Sequence, residues 1–106
     1  MTNEDRELLA TVIMGWHKKA SDWCPDEDIE QALQLVDALR SKEYDCVIDL
    51  LAKAHGEQCY CRVSSCIIGH APVQGEWGMS SKTLPRAIAA AALKVAKAMK
   101  EEEHVD

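Results

Sequence analysis

The chain contains no phenylalanine, only three prolines and five glycines, and its aromatic residues are three Trp and two Tyr. No apolar run approaches the ~20 residues that a membrane-spanning helix needs, so no membrane contact is expected. The acidic start MTNEDRELL lacks the basic and apolar parts of a secretion signal. We therefore expect a cytoplasmic protein of 106 residues that forms one domain around an aliphatic core.

The motifs that mark common enzyme classes are also missing. There is no Gly-rich phosphate loop, no GxSxG nucleophile elbow and no HExxH zinc motif. The sequence therefore predicts no catalytic residues, no cofactor and no enzymatic activity.

Charge is distributed unevenly along the chain, whose net charge at pH 7 is −6. Residues 1–53 carry twelve acidic and six basic side chains, a balance of −6, whereas residues 54–106 carry six of each. The acidic excess lies in the first half, and it argues against direct binding of nucleic acid.

The hydrophobic pattern predicts an α+β fold, in which three helices cover a small antiparallel sheet of two or three strands in the order α-α-β-β-(β)-α. The expected elements are a helix from Thr2 to about His17, a helix from Asp26 to about Ser41, strands within 44–54 and 59–67, a short strand around Val73 to Trp77, and a helix from Leu84 to about Glu102. One domain spans residues 1–106. The tail 101–106 is expected to fray, because acidic residues at a helix C-terminus oppose the helix dipole.

The two central strands are predicted from an alternation of period two, with Cys59 and Cys61 on the apolar side of the second strand. If His55-Gly56 is a two-residue turn, Asp49 pairs with Arg62 and Leu50 pairs with Cys61. A second interpretation stays open, because residues 44–54 also fit helical spacing with Gly56 as a stop.

Each predicted helix has an apolar stripe. The stripes are Leu8, Leu9, Val12, Ile13 and Trp16 in the first helix, Ile29, Ala32, Leu33, Val36 and Leu39 in the second, and Leu84, Ile88, Ala91, Ala92, Val95 and Met99 in the last. Lys82, Arg86, Lys94, Lys97 and Lys100 lie opposite the last stripe. We expect Trp16 in the core, Trp23 over the start of the second helix, and Trp77 as the most exposed tryptophan.

Several short motifs resemble one known family. They are Met14-Gly15-Trp16-His17, Trp23-Cys24-Pro25 with Asp28-Ile29, and Pro85-Arg86-Ala87-Ile88 leading into Ala91-Ala92-Leu93-Lys94. This arrangement resembles the phage ABA-sandwich domain family, small proteins of bacteriophages and prophages whose helices pack on a small antiparallel sheet. The resemblance implies a phage or prophage origin, but it supplies no shared activity and no catalytic residues. The Cys-rich hairpin departs from the family pattern.

Five cysteines without an export signal favour free thiols. Cys59, Cys61, Cys66 and His70 could suggest a metal site, but Cys66 points to the other side of a regular strand. The apolar partners of Cys59 and Cys61 favour core packing. Cys24 near a helix start could be a nucleophile, yet three acidic residues follow Pro25 and oppose a thiolate. No metal site is predicted.

Carboxylates crowd the start of the second predicted helix, where they also suit the helix dipole. The predicted partner-binding residues are Asp22, Asp26, Glu27, Asp28, Glu30, Asp37 and Trp77.

The leading hypothesis is a non-enzymatic phage-type factor that binds a bacterial host protein. In particular, its acidic surface would inhibit a nucleic-acid-binding antiviral nuclease complex, as an anti-CRISPR does. The alternatives are a small-ligand or metal-binding domain that uses the Cys-rich hairpin, and a homodimeric phage accessory protein. The sequence leaves monomer and homodimer open.

Overall fold

A computed structural model describes residues 1–50, 58–66 and 69–103, which form three helices and a three-stranded antiparallel sheet in the predicted order. The elements are α1 (Asn3–Leu8, continued by a π-helical turn, Leu9–Ile13), α2 (Ile29–Ser41), β1 (Tyr44–Leu50), β2 (Cys59–Ser65), β3 (Glu76–Ser81) and α3 (Leu84–Glu103). The predicted turn at His55-Gly56, the strand ends at 51–54 and 67, and the tail residues 104–106 lie outside the described residues.

The first helix begins with the expected capping box and ends earlier than expected. The Thr2 hydroxyl accepts from the Asp5 N–H, and the Asp5 carboxylate accepts from the Thr2 N–H, each at 3.1 Å. At the other end, Gly15 has a positive φ of 74°, and the Trp16 N–H donates to the Ala10 carbonyl at 3.0 Å. The prediction that Trp16 lies in the core was wrong, because this C-terminal cap turns it away from the helical stripe and leaves it 36% exposed.

The second helix starts at Ile29 and not at Asp26, because Asp28 is its N-cap and accepts from the Gln31 N–H at 3.0 Å. The buried side of α2 is also rotated from the predicted one. Its fully buried residues are Ala32, Leu35 and Leu39. Leu33 was therefore wrongly placed in the core, since a helix with leucines at both 33 and 35 has two competing apolar stripes.

The stretch from Tyr44 to Leu50 is a strand, which resolves the helix alternative for these residues. It pairs with β2 so that Asp49 faces Tyr60 and Leu50 faces Cys59. The predicted register was wrong by two residues. A slip of two residues keeps every side chain on its predicted face, so Cys61 is buried as expected.

The third strand begins at Glu76, three residues later than predicted, because the segment before it is held by Tyr44. The buried Tyr44 hydroxyl donates to the Val73 carbonyl at 2.8 Å and accepts from the Val73 N–H at 3.1 Å. Trp77 packs edge-on against Tyr44, with 6.0 Å between the ring centroids, and contacts the core. The expectation that Trp77 is the most exposed tryptophan was therefore wrong.

The last helix, α3, is central to the packing. It contacts β2 and β3 on one side, α2 beside it, and α1 with its π-helical turn on the remaining side. Its buried residues are Ala87, Ile88, Ala89, Ala91, Ala92, Val95 and Ala96, which allow these elements to approach closely. The helices thus cover one face of the sheet. Among the described residues, no helix combines the length and the hydropathy required to cross a membrane.

We expect Tyr44→Phe to lower the free energy of unfolding by about 1–3 kcal/mol, because both polar groups of Val73 lose their partner. Urea denaturation followed by circular dichroism measures this change. Tyr60→Phe is the matched control, because its hydroxyl lies against Gly78 on the outer face of the sheet. It should change stability by no more than about 0.5 kcal/mol. Equal losses in the two variants would contradict the bridging role of Tyr44.

Candidate binding surface

The outer face of α2 combines exposed apolar and acidic side chains. Ile29 is 41% exposed and Leu33 is 45% exposed, and they lie one helical turn apart. Glu30 and Asp37 are exposed beside Leu33, at i−3 and i+4 along the helix. We call these four residues the α2 surface. An apolar centre flanked by carboxylates is suited to contact with a protein that carries basic groups.

One predicted member of the acidic cluster is not available at the surface. Asp26 is 4% exposed, and its carboxylate accepts from Arg6 Nε at 2.9 Å and from Arg6 Nη2 at 3.0 Å. This bidentate hydrogen bonding from Arg6 is the main cause that holds the pKa of Asp26 below its ordinary value. Asp26 therefore ties α1 to the segment before α2 and cannot offer its charge to a partner.

The other predicted partner-binding residues are dispersed. Asp28 is exposed but caps α2, Asp22 and Glu27 are exposed before the helix, and Trp77 lies in the sheet against the core. Of the predicted set, only Glu30 and Asp37 share the outer face of α2. The structure thus narrows the acidic surface to fewer carboxylates and adds two apolar residues that the sequence had placed in the core.

Trp16 provides a second exposed apolar group near α2. Its ring packs edge-on against Trp23, with 5.0 Å between the centroids. Trp23 is buried as expected over the second helix, where its indole N–H donates to the Gln34 side chain at 3.2 Å. Gly15 follows the apolar stripe of the first helix, and this glycine was the sequence signal that could have indicated that Trp16 lies outside the core.

The cysteines of the sheet serve packing. Cys61 is fully buried, and Cys46 and Cys59 pack against the core on the same face of the sheet. Burial is the main cause that raises the pKa of Cys61 to about 12 and that of Cys46 to about 11. Cys66 instead lies 3.5 Å from the Asp45 carboxylate. The described residues contain no group of three or more His, Cys, Asp or Glu side chains placed to hold a metal ion.

The basic residues of α3 are exposed, as predicted, but they differ in their surroundings. Lys97 is close enough to Asp5 to help lower the pKa of that carboxyl, although the hydrogen bond from the Thr2 backbone is the larger cause. Lys100 borders a groove that also contains Glu4 and Glu7. Lys94 donates to the Gly78 carbonyl at 3.3 Å, at the free side of β3. The acidic side chains of α1 thus offset the positive charge of Lys97 and Lys100, which lie in the C-terminal half of α3.

We expect Asp26→Asn to destabilise the protein by about 2 kcal/mol at pH 7, because the amide lacks the negative charge and one of the two oxygens that accept from Arg6. The pKa of Asp26 is lower in the folded than in the unfolded chain. Its contribution to the free energy of unfolding is therefore complete above the ordinary pKa of 3.8 and is lost as the pH falls below that value. Urea titrations measure the free energy of unfolding of wild type and variant at pH 7, 5 and 3. The difference between the two proteins should be the same at pH 7 and pH 5 and smaller at pH 3. Asp22→Asn, an exposed control, should change stability by less than about 0.5 kcal/mol. A difference that grows at pH 3 would be evidence against the ion pair.

Cys46 and Cys61 should react slowly with iodoacetamide at pH 8 in the folded protein, because burial leaves little thiolate at either sulfur. Mass spectrometry of the alkylated peptides locates the labelled residues. In denaturant all five thiols should react at similar rates. Labelling of Cys61 in the folded state as fast as in denaturant would contradict its place in the core.

The family model described as the Phage ABA sandwich domain matches residues 7–93 of the chain. No curated protein and no solved structure matches the chain significantly.

Proposed function

The chain belongs to the phage ABA sandwich domain family, and from this premise we propose that it is a non-enzymatic factor that binds a bacterial host protein through the α2 surface. Its place of action is the cytoplasm of the host. The observation that carries the proposal is the exposure of Ile29 and Leu33 on the same face of α2 as the carboxylates of Glu30 and Asp37.

The apolar pair supplies binding free energy. Burying an aliphatic side chain of this size contributes about 1.5–3 kcal/mol when it leaves water completely. Ile29 and Leu33 are each less than half exposed, so together they would supply a similar amount, about that of one fully exposed residue. Their fixed positions on one helix keep the ordering cost of binding low.

The carboxylates supply selectivity and faster encounter. Glu30 and Asp37 are two helical turns apart, which separates them by about 10 Å along the helix axis at ~1.5 Å per residue. Together with the net charge of −6, they favour a partner whose surface is basic. Grooves that bind nucleic acid are such surfaces, so the partner class we propose is a nucleic-acid-binding antiviral complex that the protein inhibits by occupying its groove.

The displaced pKa values are consistent with a non-enzymatic role. Asp5 belongs to a helix cap, Asp26 to an ion pair, Tyr44 to a loop contact, and Cys46 and Cys61 to the core. Hydrogen bonds of a helix cap or an ion pair account for the lowered pKa values of Asp5 and Asp26, and burial accounts for the raised pKa values of Tyr44, Cys46 and Cys61, so none of these shifts requires a catalytic explanation. The hairpin cysteines pack inward, which makes the small-ligand or metal alternative the weaker candidate.

We expect the double variant Glu30→Lys and Asp37→Lys to lose the host partner, because the carboxylates that face the basic groove become cations. The matched control, Glu4→Lys with Glu102→Lys, makes the same change in net charge at exposed positions away from α2. Tagged wild type, variant and control are incubated with bacterial lysate at 50 mM and 500 mM NaCl. A partner retained stoichiometrically by wild type and control at low salt, and lost by the variant and at high salt, supports the proposal.

Two further measurements test whether the apolar residues of the α2 surface contribute to binding and whether the protein inhibits its partner. Leu33→Ser should weaken binding about three- to tenfold while leaving urea stability nearly unchanged, because the side chain is about half exposed. A gel shift with the retained protein and its nucleic acid should show release of nucleic acid on addition of wild type. Equal retention by the Glu30/Asp37 variant, or a ternary complex with nucleic acid, would overturn the proposed site.

A further inference from the structure

The two sides of the protein carry opposite charges, and the fold places them apart. In the sheet order β1-β2-β3, α2 contacts β1 at one edge, and α3 contacts β2 and β3 at the other. The first side, which we call the acidic flank, presents the α2 surface, whose carboxylates are accompanied by the exposed Arg40. Asp45 and Asp49 of β1 are exposed at the same edge of the sheet, on the face that the helices leave open. The second, which we call the basic flank, presents Arg86 and Lys94 of α3 beside β3.

Both flanks also expose apolar groups. On the acidic flank these are Ile29 and Leu33 of α2 and Ile48 of β1, which is 37% exposed. The basic flank has an open groove of about 440 Å³ between the free edge of β3 and the outer face of α3. Its lining residues are Met1, Met79, Ser80, Ser81, Arg86, Ala90 and Leu93. The groove is thus largely apolar, with a guanidinium at its side.

Arg86 occupies a position that does not favour helix stability. It lies in the first turn of α3, which contains no acidic residue, and a cation there opposes the helix dipole. Replacing it with an acidic residue should therefore stabilise the isolated fold. Arg86 thus does not stabilise the helix end, and its guanidinium is exposed for contact with another molecule.

These observations determine which surfaces can meet. Two acidic flanks facing each other would bring their carboxylates together, and two basic flanks would bring their cations together, each at a cost in free energy. An acidic flank against a basic flank instead pairs opposite charges and covers the apolar residues of both. Such a contact is head-to-tail, and it produces a ring or an open chain rather than a two-fold dimer.

We propose that the protein self-associates head-to-tail, with the acidic flank of one copy docked on the basic flank of a second copy. This inference goes beyond the host contact proposed above and does not rest on it. Because both contacts use the α2 surface, a neighbouring copy and a basic host protein exclude each other at that surface. This one consequence rests on the proposed host contact: self-associated copies cannot bind the host protein until dilution or a tighter-binding partner releases single copies.

The test is light scattering coupled to gel filtration of the purified full chain, from 5 to 500 µM at 50 mM and 500 mM NaCl. At low salt the average mass should rise with concentration above that of the 11.8 kDa chain, and at high salt it should return to one chain. The acidic-flank variant, Glu30→Lys with Asp37→Lys, and the basic-flank variant, Arg86→Glu with Lys94→Glu, should each remain single chains. The Glu4→Lys and Glu102→Lys control should assemble like wild type.

Mixing the two flank variants provides the decisive arm. The acidic-flank variant keeps the wild-type basic flank, and the basic-flank variant keeps the wild-type acidic flank, so the mixture again contains one flank of each charge. The mixture should therefore regain association between unlike copies, even though neither variant associates alone. Circular dichroism and urea stability of each variant exclude a folding defect, and Arg86→Glu alone should be at least as stable as wild type. A mass of one chain for wild type at every concentration and salt would overturn the proposal, as would an assembly that survives in both variants.

Discussion

In the part of the chain that the structure describes, every other helix and two of the three strands pack against α3, and the small side chains of that helix make this packing possible. Five alanines of α3 are buried, so neighbouring backbones can approach it on three sides. Adding methylene groups at such positions typically destabilises a close-packed core by about 1–3 kcal/mol. Without phenylalanine, the remaining volume is filled by aliphatic residues from α1 and α2 and by Tyr44, Trp23 and Trp77.

The central place of α3 also determines where charge can lie. A helix buried on three sides has one solvent-facing strip, and its cations are confined to that strip. The acidic side chains of α1 lie near Lys97 and Lys100 and offset their charge, and Arg6 forms an ion pair with Asp26. Among the other charges of the described residues, the carboxylates of α2 and β1 lie on one side, and Arg86 and Lys94 lie on the far side. The charge asymmetry that suggests binding is therefore a consequence of how the helices pack.

Much of the fold could be predicted from local patterns, because periods of 2.0 and 3.6 residues and capping residues act over short distances. The faces of Cys59 and Cys61 follow from alternation alone. The strand register does not, because it depends on the connection between β1 and β2, and a two-residue slip leaves the alternation unchanged. The choice between Leu33 and Leu35 on α2 depends on where α3 and β1 lie. The exposures of Trp16 and Trp77 likewise depend on a glycine cap and on the contact with Tyr44. For the same reason the α2 surface could be found only in part, through Glu30 and Asp37.

Native-state hydrogen exchange by NMR tests most directly whether α3 organises the molecule. If it does, the amides of residues 88–96 exchange only when the whole chain unfolds, with the free energy and urea dependence of global unfolding. Amides near both ends of the sheet and in α1 should open at lower free energy. Exchange of residues 88–96 through local openings, while β1 and β2 stay protected, would contradict the account, since the sheet would then be stable without its central helix.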